Sequence, residues 1–403
     1  MRILFLTETI PYPLDSGGRI KTYHTLRALA GGHEIHCHAF IRSAAERRHA
    51  AALEPSCASL TLHLRPGGPG REAGALALSV AKRVPFTVAR HFHRRVAARL
   101  ERECRARQFH AAYCDHLSML EYAASLPLPV IHDAHNVEFE LVRRYAASLG
   151  RSPVRLFAER EWRLLKRYER ARYARCRLIL AVSERDARGI RDLARGDVDV
   201  RVVPIAIDAG GMAPLGPRPA APGVLYVGGL HWPPNADAVS YFIREVWPLV
   251  RRETPGATLT VVGRDDVPAA EALRKTEGVR LTGRVEDVEP YFAQARVFVV
   301  PLRSGGGMRV KILEALARGL PVVSTTVGYE GIDAVPGVHL LAADDAPVFA
   351  RQVKRVFDHD DLADSLARAG RTLALERYDA TAIGDRLRGI LAEFEAGLTS
   401  ERR

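Results

Sequence analysis

An α/β chain made of two doubly wound parallel-sheet domains is the fold class this sequence predicts, and three observations carry the prediction. Its 403 residues exceed what one ordinary core organises, so two domains of roughly 200 residues each are the natural division. Short apolar runs of strand length alternate with helical periodicity in both halves, the pattern of βαβ units. Between the halves, residues 204–223 carry five prolines and four glycines with little periodicity, which reads as a linker.

Residues 3–7 read as a strand, followed by a loop over 9–18 and a helix whose apolar positions Ile20, Tyr23, Leu26, Leu29 and Ala30 share one face. A second strand at 34–40 completes a β-loop-α-β opening. Apolar runs at 111–114, 129–131 and 178–182 have the length of buried parallel strands, so the first domain is assigned to 1–203. The pattern restarts after the linker, and the second domain is assigned to 224–375. Its strands are expected at 224–227, 258–262, 279–281, 296–300 and 321–324, with helices at 237–252, 268–276, 288–294 and 308–318. A helical tail begins near 347, and 376–403 form the last helix. Two such domains facing a cleft hold ligands at the carboxyl ends of their strands.

Composition excludes several classes. No apolar run approaches the ~18 residues of a membrane span. The N-terminus runs straight into a strand with no cleavage site after it, so a signal peptide is not expected. Cys37, Cys57, Cys104, Cys114 and Cys176 form no metal-ligand spacing and read as reduced thiols, which makes a cytoplasmic location the expectation. The net charge of +12 is uneven: residues 1–200 hold 34 Lys and Arg against 21 Asp and Glu, whereas 201–403 hold 25 against 26. Only six of the basic residues are lysines, so part of the arginine content can reflect genome composition.

The strongest chemical segment is VFVVPLRSGGGMRVKILEALARGLPVVST, residues 297–325. A buried strand ends at Pro301, and Gly305, Gly306 and Gly307 then let backbone approach a ligand closely with its N–H groups exposed. A helix follows at once, so its positive dipole end and the N–H groups from Gly305 to Met308 point the same way. Arg309 and Lys311 fall at that helix start, where cations oppose the dipole unless an anion such as a diphosphate compensates. Glu314, three residues past Lys311, is placed to orient it or to accept from ribose hydroxyls. The alternative is a tight β–α turn with a surface ion pair.

This segment resembles the donor-site motif of the retaining GT-B glycosyltransferases of family 4, the "glycosyl transferases group 1" type. EALARGLPVV from Glu314 matches that family's E-A-x-A-x-G-x-P-V-V block, and further blocks agree in order over nearly the whole chain. Residues 6–18 resemble its N-terminal glycine loop, 226–239 the opening of its C-terminal domain, 282–285 its T-G-x-V turn, and 376–379 the motif before its last helix. The resemblance implies two Rossmann-like domains, with that last helix crossing back to the first. It also implies sugar transfer from a nucleotide-diphosphate sugar to an acceptor hydroxyl, no cofactor and no metal.

Two departures stand out. The family's E-x(7)-E pair would place its first glutamate at Gly306, and where many members carry Arg and Lys to hold the phosphates this chain reads Gly228, Gly229, Leu230 and His231. Arg309 and Lys311 supply the same charge.

A second segment, VIHDAHNVE over 130–138, follows a predicted strand. The resemblance puts His135 where the family often presents a histidine to the transferred sugar, with Asp133 available to orient it. His132 reads as structural. His132, Asp133 and His135 are also metal-ligand types, but their crowding on one extended turn suits closed coordination poorly.

Gly17 and Gly18, before Arg19 and Lys21, sit between a strand and a helix where backbone meets phosphate or acceptor; they are not GxGxxG, which disfavours a dinucleotide dehydrogenase. Strand ends at Gly263 and at Arg284 and Val285 are expected to line a base pocket, and Gly229 to approach the donor. Asp265–Asp266 and Asp344–Asp345 read as turn residues rather than metal ligands. Arg160, Arg163, Arg167 and Arg170 share a helix face, either docking on anionic membrane or, as expected, solvated among Glu161 and Glu169. Nucleic acid finds no motif.

The expected activity is therefore retaining sugar transfer from a nucleotide-sugar donor to a glycan, a lipid-linked sugar or a small molecule, as in bacterial surface-polysaccharide or glycolipid synthesis. A silent sugar-nucleotide binder, a nucleotide-sugar 2-epimerase of the same fold and a basic surface module are the rivals. Donor turnover, carboxylates flanking the sugar, and indifference to Gly305–Gly307 distinguish them.

Overall fold

In a computed structural model of the chain, residues 1–65, 67–194 and 198–401 are described. Residues 402 and 403 of the expected last helix, and 66 and 195–197 of the expected first domain, lie outside them. The chain divides into two compact units, Met1–Ala206 with Ala380–Arg403, and Ile207–Asp379.

The first unit carries, among the described residues, seven parallel strands: β1 (Arg2–Thr7), β2 (Glu34–Ile41), β3 (Ser59–Leu64), β4 (Ala111–Asp115), β5 (Val130–Ala134), β6 (Leu178–Ala181) and β7 (Asp199–Val202). Their order is β3-β2-β1-β4-β5-β6-β7, so the winding reverses between β1 and β4, which pair from Ile3 with Ala111 to Thr7 with Asp115. Helices α1 (Gly17–Ala30), α2 (Pro69–Lys82), α3 (Phe86–Ala89), α4 (Arg94–Ala106), α5 (Leu120–Ala123), α6 (Glu138–Ser148), α7 (Pro153–Tyr173) and α8 (Glu184–Ala194) connect them. Near-continuous apolar strands are what burial on both faces requires. One core packs β1, β2 and β4 against Leu26 and Leu29 of α1, and the other packs the opposite face against Leu165 and Tyr168 of α7.

The second unit has six parallel strands, β8 (Gly223–Val227), β9 (Thr258–Val262), β10 (Val279–Leu281), β11 (Val297–Val300), β12 (Val322–Ser324) and β13 (Leu341–Ala342), in the order β10-β9-β8-β11-β12-β13. Here the winding reverses between β8 and β11. Helices α9 (Pro233–Tyr241), α10 (Trp247–Glu253), α11 (Pro268–Arg274), α12 (Glu289–Ala293), α13 (Val310–Ala317), α14 (Ala346–Asp358) and α15 (Asp360–Tyr378) belong to it, and α16 (Ala380–Glu401) belongs to the first unit.

Three boundaries differ from expectation. The first helix of this unit starts at Pro233, because proline suits a helix start, and a π turn over Phe242–Val246 absorbs Pro248 further on. From Ile207 onward the segment read as a linker is part of the second unit: the Ile207 N–H donates to Tyr378 at 2.9 Å and the Leu215 N–H to Arg318 at 2.9 Å. The tail helix breaks at Asp379, an extended residue between α15 and α16. No described helix is long and apolar enough to cross a membrane.

Candidate functional site

Each unit gathers polar groups at the carboxyl ends of the two strands where its winding reverses, the place where an α/β sheet leaves a crevice. In the second unit these ends belong to β8 and β11. Gly228 and Gly229 leave β8, and Gly305, Gly306 and Gly307 follow β11. Gly263, after β9, has φ +140, and a Cβ there would lie 2.6 Å from the Gly228 carbonyl carbon, so these two backbones touch. The Gly228 N–H donates to Val262 at 2.7 Å and the Leu230 N–H to Arg264 at 2.7 Å. The Gly263 N–H donates to Gly283 at 3.1 Å, which brings the 283–285 turn alongside. Arg284 is exposed and Val285 half-buried there, while Met308 is buried.

The cations are arranged differently from expectation. Helix α13 begins at Val310, so Arg309 is its cap residue rather than part of its first turn. The Arg309 guanidinium folds over its own loop and donates to the carbonyls of Gly306 and Gly307. Lys311 does not turn to Glu314: its ammonium donates to Tyr226 Oη at 3.1 Å and Asn235 Oδ1 at 3.3 Å, and lies 4.4 Å from the Tyr226 ring centre. A Cβ on Gly228 would come 2.5 Å from Lys311 Nζ, so the charge sits against the glycine loop. Burial, reinforced by the Arg309 charge and opposed by Glu314, lowers the Lys311 pKa to about 7. Burial raises that of Glu314 against Arg318 and Lys311. Asp265 and Asp266 pair with Arg274 and Arg264, and Asp345 caps α14 by accepting from the Val348 N–H at 2.9 Å, so these acids serve turns and caps.

The first unit centres on Asp115 at the end of β4, a fully buried carboxylate. Oδ2 accepts from Thr7 at 2.7 Å and Thr22 at 2.8 Å, and it also meets His116 Nδ1 at 2.8 Å. Oδ1 meets His135 Nε2 at 2.7 Å. His135 is thus oriented by Asp115, not by Asp133. Asp133 is engaged with Lys21 at 2.7 Å and the Tyr113 hydroxyl at 2.8 Å in a buried ion pair. His132 Nδ1 donates to the Cys114 carbonyl at 3.1 Å and is buried, as a structural histidine is.

The rings of His116 and His135 lie 3.9 Å apart between centres. Burial opposes the His116 imidazolium, but Asp115 and Glu8 overcome it and hold its pKa up at about 10. Burial and that neighbouring charge lower His135, leaving it neutral at pH 7. His116 takes φ +77 and ψ 150, a region nearly reserved for glycine, and such strain persists where the surroundings enforce it. A Cβ on Gly18 would lie 3.6 Å from His116 Nε2 and 3.9 Å from His135 Nδ1, so the outward nitrogens of both rings look over the bare start of α1. Gly17 is the first residue of that helix.

Among the described residues, Asp115, His116 and His135 are the group whose ligand atoms lie close enough, within 4.8 Å, to hold a metal ion. Without an ion, both carboxylate oxygens are engaged, Oδ2 by Thr7, Thr22 and His116 and Oδ1 by His135. Asp115, His116, Tyr226 and Asn235 escaped the sequence reading. Asp115 and His116 follow the strand at 111–114, which the logic applied to His135 would have flagged.

Of the Arg160 stripe, Arg163, Arg167 and Arg170 are exposed, as expected of a solvated face, and Arg160 is half-buried. Arg160 donates to the Ser79 carbonyl at 2.9 Å, and Arg163 pairs with Glu159 at 2.9 Å. Glu161 and Glu169 are not solvated, as expected from their interleaving, but buried: they accept the backbone N–H groups of Phe86 and Thr87, and of Glu138 and Phe139.

Against known proteins, residues 30–210 match the Glycosyltransferase Family 4 model and residues 221–359 the Glycosyl transferases group 1 model. An uncharacterized 44.6 kDa protein in the cps region of Klebsiella pneumoniae is 26% identical over 165 residues, a stretch that is 39% of this chain and 42% of that relative's length. Sucrose-phosphate synthase from Thermosynechococcus elongatus superposes with a TM-score of 0.71 at 16% identity, over 98% of this chain and 100% of that one. HepE from Anabaena, solved in complex with UDP and glucose, gives 0.68 at 14% identity, over 98% and 100%. The chain is thus similar over residues 30–210 to a Glycosyltransferase Family 4 domain and over residues 221–359 to a Glycosyl transferases group 1 domain, on a GT-B fold.

Proposed function

We propose that this protein is a retaining, metal-independent hexosyltransferase that moves a sugar from a nucleotide-diphosphate donor to an acceptor hydroxyl, in the assembly of a bacterial cell-surface polysaccharide or glycolipid. One observation carries the reading: the Lys311 ammonium lies against Gly228 at the winding reversal of the second unit, beside the Gly305–Gly307 loop and the start of α13. Backbone N–H groups from Gly305 to Met308, the helix dipole, Arg309 and Lys311 then offset the charge that develops on the departing diphosphate. Gly229, Gly263, Arg284 and Val285 line the nucleotide side. Glu314 serves the ribose hydroxyls, since Lys311 is engaged elsewhere. HepE, with its bound UDP and glucose, and the cps-region relative support the substrate class and the setting.

In the first unit, neutral His135, held by Asp115, offers Nδ1 to a sugar hydroxyl, and Gly17 and Gly18 leave room for phosphate or acceptor. The bond from the anomeric carbon to the diphosphate oxygen breaks, and one to the acceptor oxygen forms on the same face. The acceptor proton passes to the leaving phosphate. On this reading the protein works in the cytoplasm and needs no nucleic acid.

A thermal-shift panel of UDP, GDP, ADP, TDP and CDP on wild type and Arg309→Ala tests it. Saturable stabilisation by one nucleotide, lost in the variant, is expected; no stabilisation by any of them sinks the reading. Turnover unchanged in EDTA and a product of the donor's anomeric configuration are the further expected results.

A further inference from the structure

Helix α2 wears its apolar face outward. Its sequence PGREAGALALSVAK places Ala73, Leu76, Ala77, Val80 and Ala81 on one stripe at three- and four-residue spacing, by which a helix ordinarily buries itself. All five are exposed, and the residues turned inward are Ala75 and Ser79. Leu76 is 42% and Val80 59% exposed. The start of α7 extends the patch, with Val154 at 54%, Leu156 at 74% and Phe157 at 38%.

The patch sits on fixed structure. Arg160 of α7 donates to the Ser79 carbonyl of α2, and the Phe157 ring meets Phe86 edge-on at 5.8 Å between centres. Glu161 holds the start of α3 through the N–H groups of Phe86 and Thr87.

Its surroundings carry one sign of charge. Residues 65–95 and 151–170 together hold 14 Lys and Arg against four Asp and Glu. All four acids are committed: Glu161 and Glu169 are buried, Glu72 pairs with Arg90, and Glu159 pairs with Arg163. Lys82, Arg83 and Arg151, next to the apolar residues in sequence, are exposed.

We propose that this surface docks on an anionic lipid bilayer. The side chains of Leu76, Val80, Leu156 and Phe157 enter the boundary between headgroups and acyl chains, and Lys82, Arg83 and Arg151 meet lipid phosphates. A second copy of the chain is a poorer occupant, because it would bring the same cations together. In the Arg160–Arg170 stripe, expected from sequence to be a solvated face, Arg160 and Arg163 are engaged within the protein. The proposal stands apart from the sugar-transfer reading.

Co-sedimentation of the full chain with phosphatidylcholine vesicles, with and without phosphatidylglycerol, tests it. Wild type is expected to sediment with the anionic vesicles and to be released by salt. Leu76→Gln/Val80→Gln/Leu156→Gln should lower the partition coefficient about tenfold or more, with a melting temperature within about 2 °C of wild type. Lys82→Gln/Arg83→Gln/Arg151→Gln should bind more weakly and with less salt dependence. Absence of wild-type binding to anionic vesicles overturns the proposal, as does an apolar variant that binds like wild type. A concentration-dependent dimer abolished by the apolar variant, with no vesicle binding, assigns the surface to a second copy and overturns it too.

Discussion

Lys311 ties diphosphate binding to a countable proton. In the free protein its pKa is lowered from 10.5 to about 7, by burial and then by Arg309. A diphosphate against Nζ favours the ammonium and returns the pKa toward the ordinary lysine range. At about pH 8 roughly one free molecule in eleven carries the proton, and nearly every complex does, so binding takes up about 0.9 proton. From about pH 7 to 9 the dissociation constant should therefore rise about tenfold per pH unit, or about 1.4 kcal/mol each, and level off below about pH 7. Titration calorimetry of a nucleoside diphosphate in two buffers of different ionisation enthalpy reads the proton directly. Lys311→Met should bind about tenfold more weakly at neutral pH and lose this dependence. It should also gain stability. The lysine's lowered pKa means that between about 7 and 10.5 the unfolded chain holds a proton the folded chain lacks, so the variant's advantage is largest below pH 7 and fades as pH rises toward 10.5. An affinity flat from about pH 7 to 9 with no proton uptake would refute the placement of Lys311 against the diphosphate.

Three further outcomes follow from the geometry. Asp115→Asn removes the charge that sustains the His116 imidazolium, so the His116 ring, protonated up to about pH 10 in wild type, should titrate more than about one unit lower by NMR. Transfer activity should fall about a hundredfold with it, because His135 loses its orienting partner. Gly263→Ala puts a Cβ 2.6 Å from the Gly228 backbone at φ +140, and should cost about 2–3 kcal/mol in denaturant unfolding of the second unit. Lys21→Met strands the buried Asp133 carboxylate and should cost about 3–5 kcal/mol, most of it recovered in Lys21→Met/Asp133→Asn, as read by thermal melts.

Much of the architecture was legible because parallel strands buried on both faces are apolar runs, and runs such as 297–300 admit no other reading. The glycines of the second site were legible for a related reason: Gly305–Gly307 between a strand and a helix can serve few purposes. What could not be read is which side chain turns to which partner. Asp133 and Asp115 are two buried aspartates at neighbouring strand ends, and nothing along the chain says that the first meets Lys21 and the second His135. That choice is made by strand order, because β4 lies between β1 and β5. Lys311 and Glu314 show the same limit, since helical spacing made them partners and the Tyr226 and Asn235 side chains outcompeted it. Glu161 and Glu169 look like surface charge in a run of arginines, but they cap backbone segments distant in sequence.

The last helix has a consequence for biogenesis. Ile383, Leu387 and Leu391 of α16 belong to the same core as Ile3, Phe5 and Leu26, although the whole second unit intervenes along the chain. The second unit is therefore an insertion within the first. A ribosome delivers the β1–β7 sheet early, yet part of one face, beside α1, stays uncovered until the final stretch emerges, whereas the inserted unit, continuous from Ile207 to Asp379, has every residue it needs before then. The portion synthesised first is completed last, and a nascent chain arrested before Ala380 exposes an apolar face for which a chaperone is the natural cover.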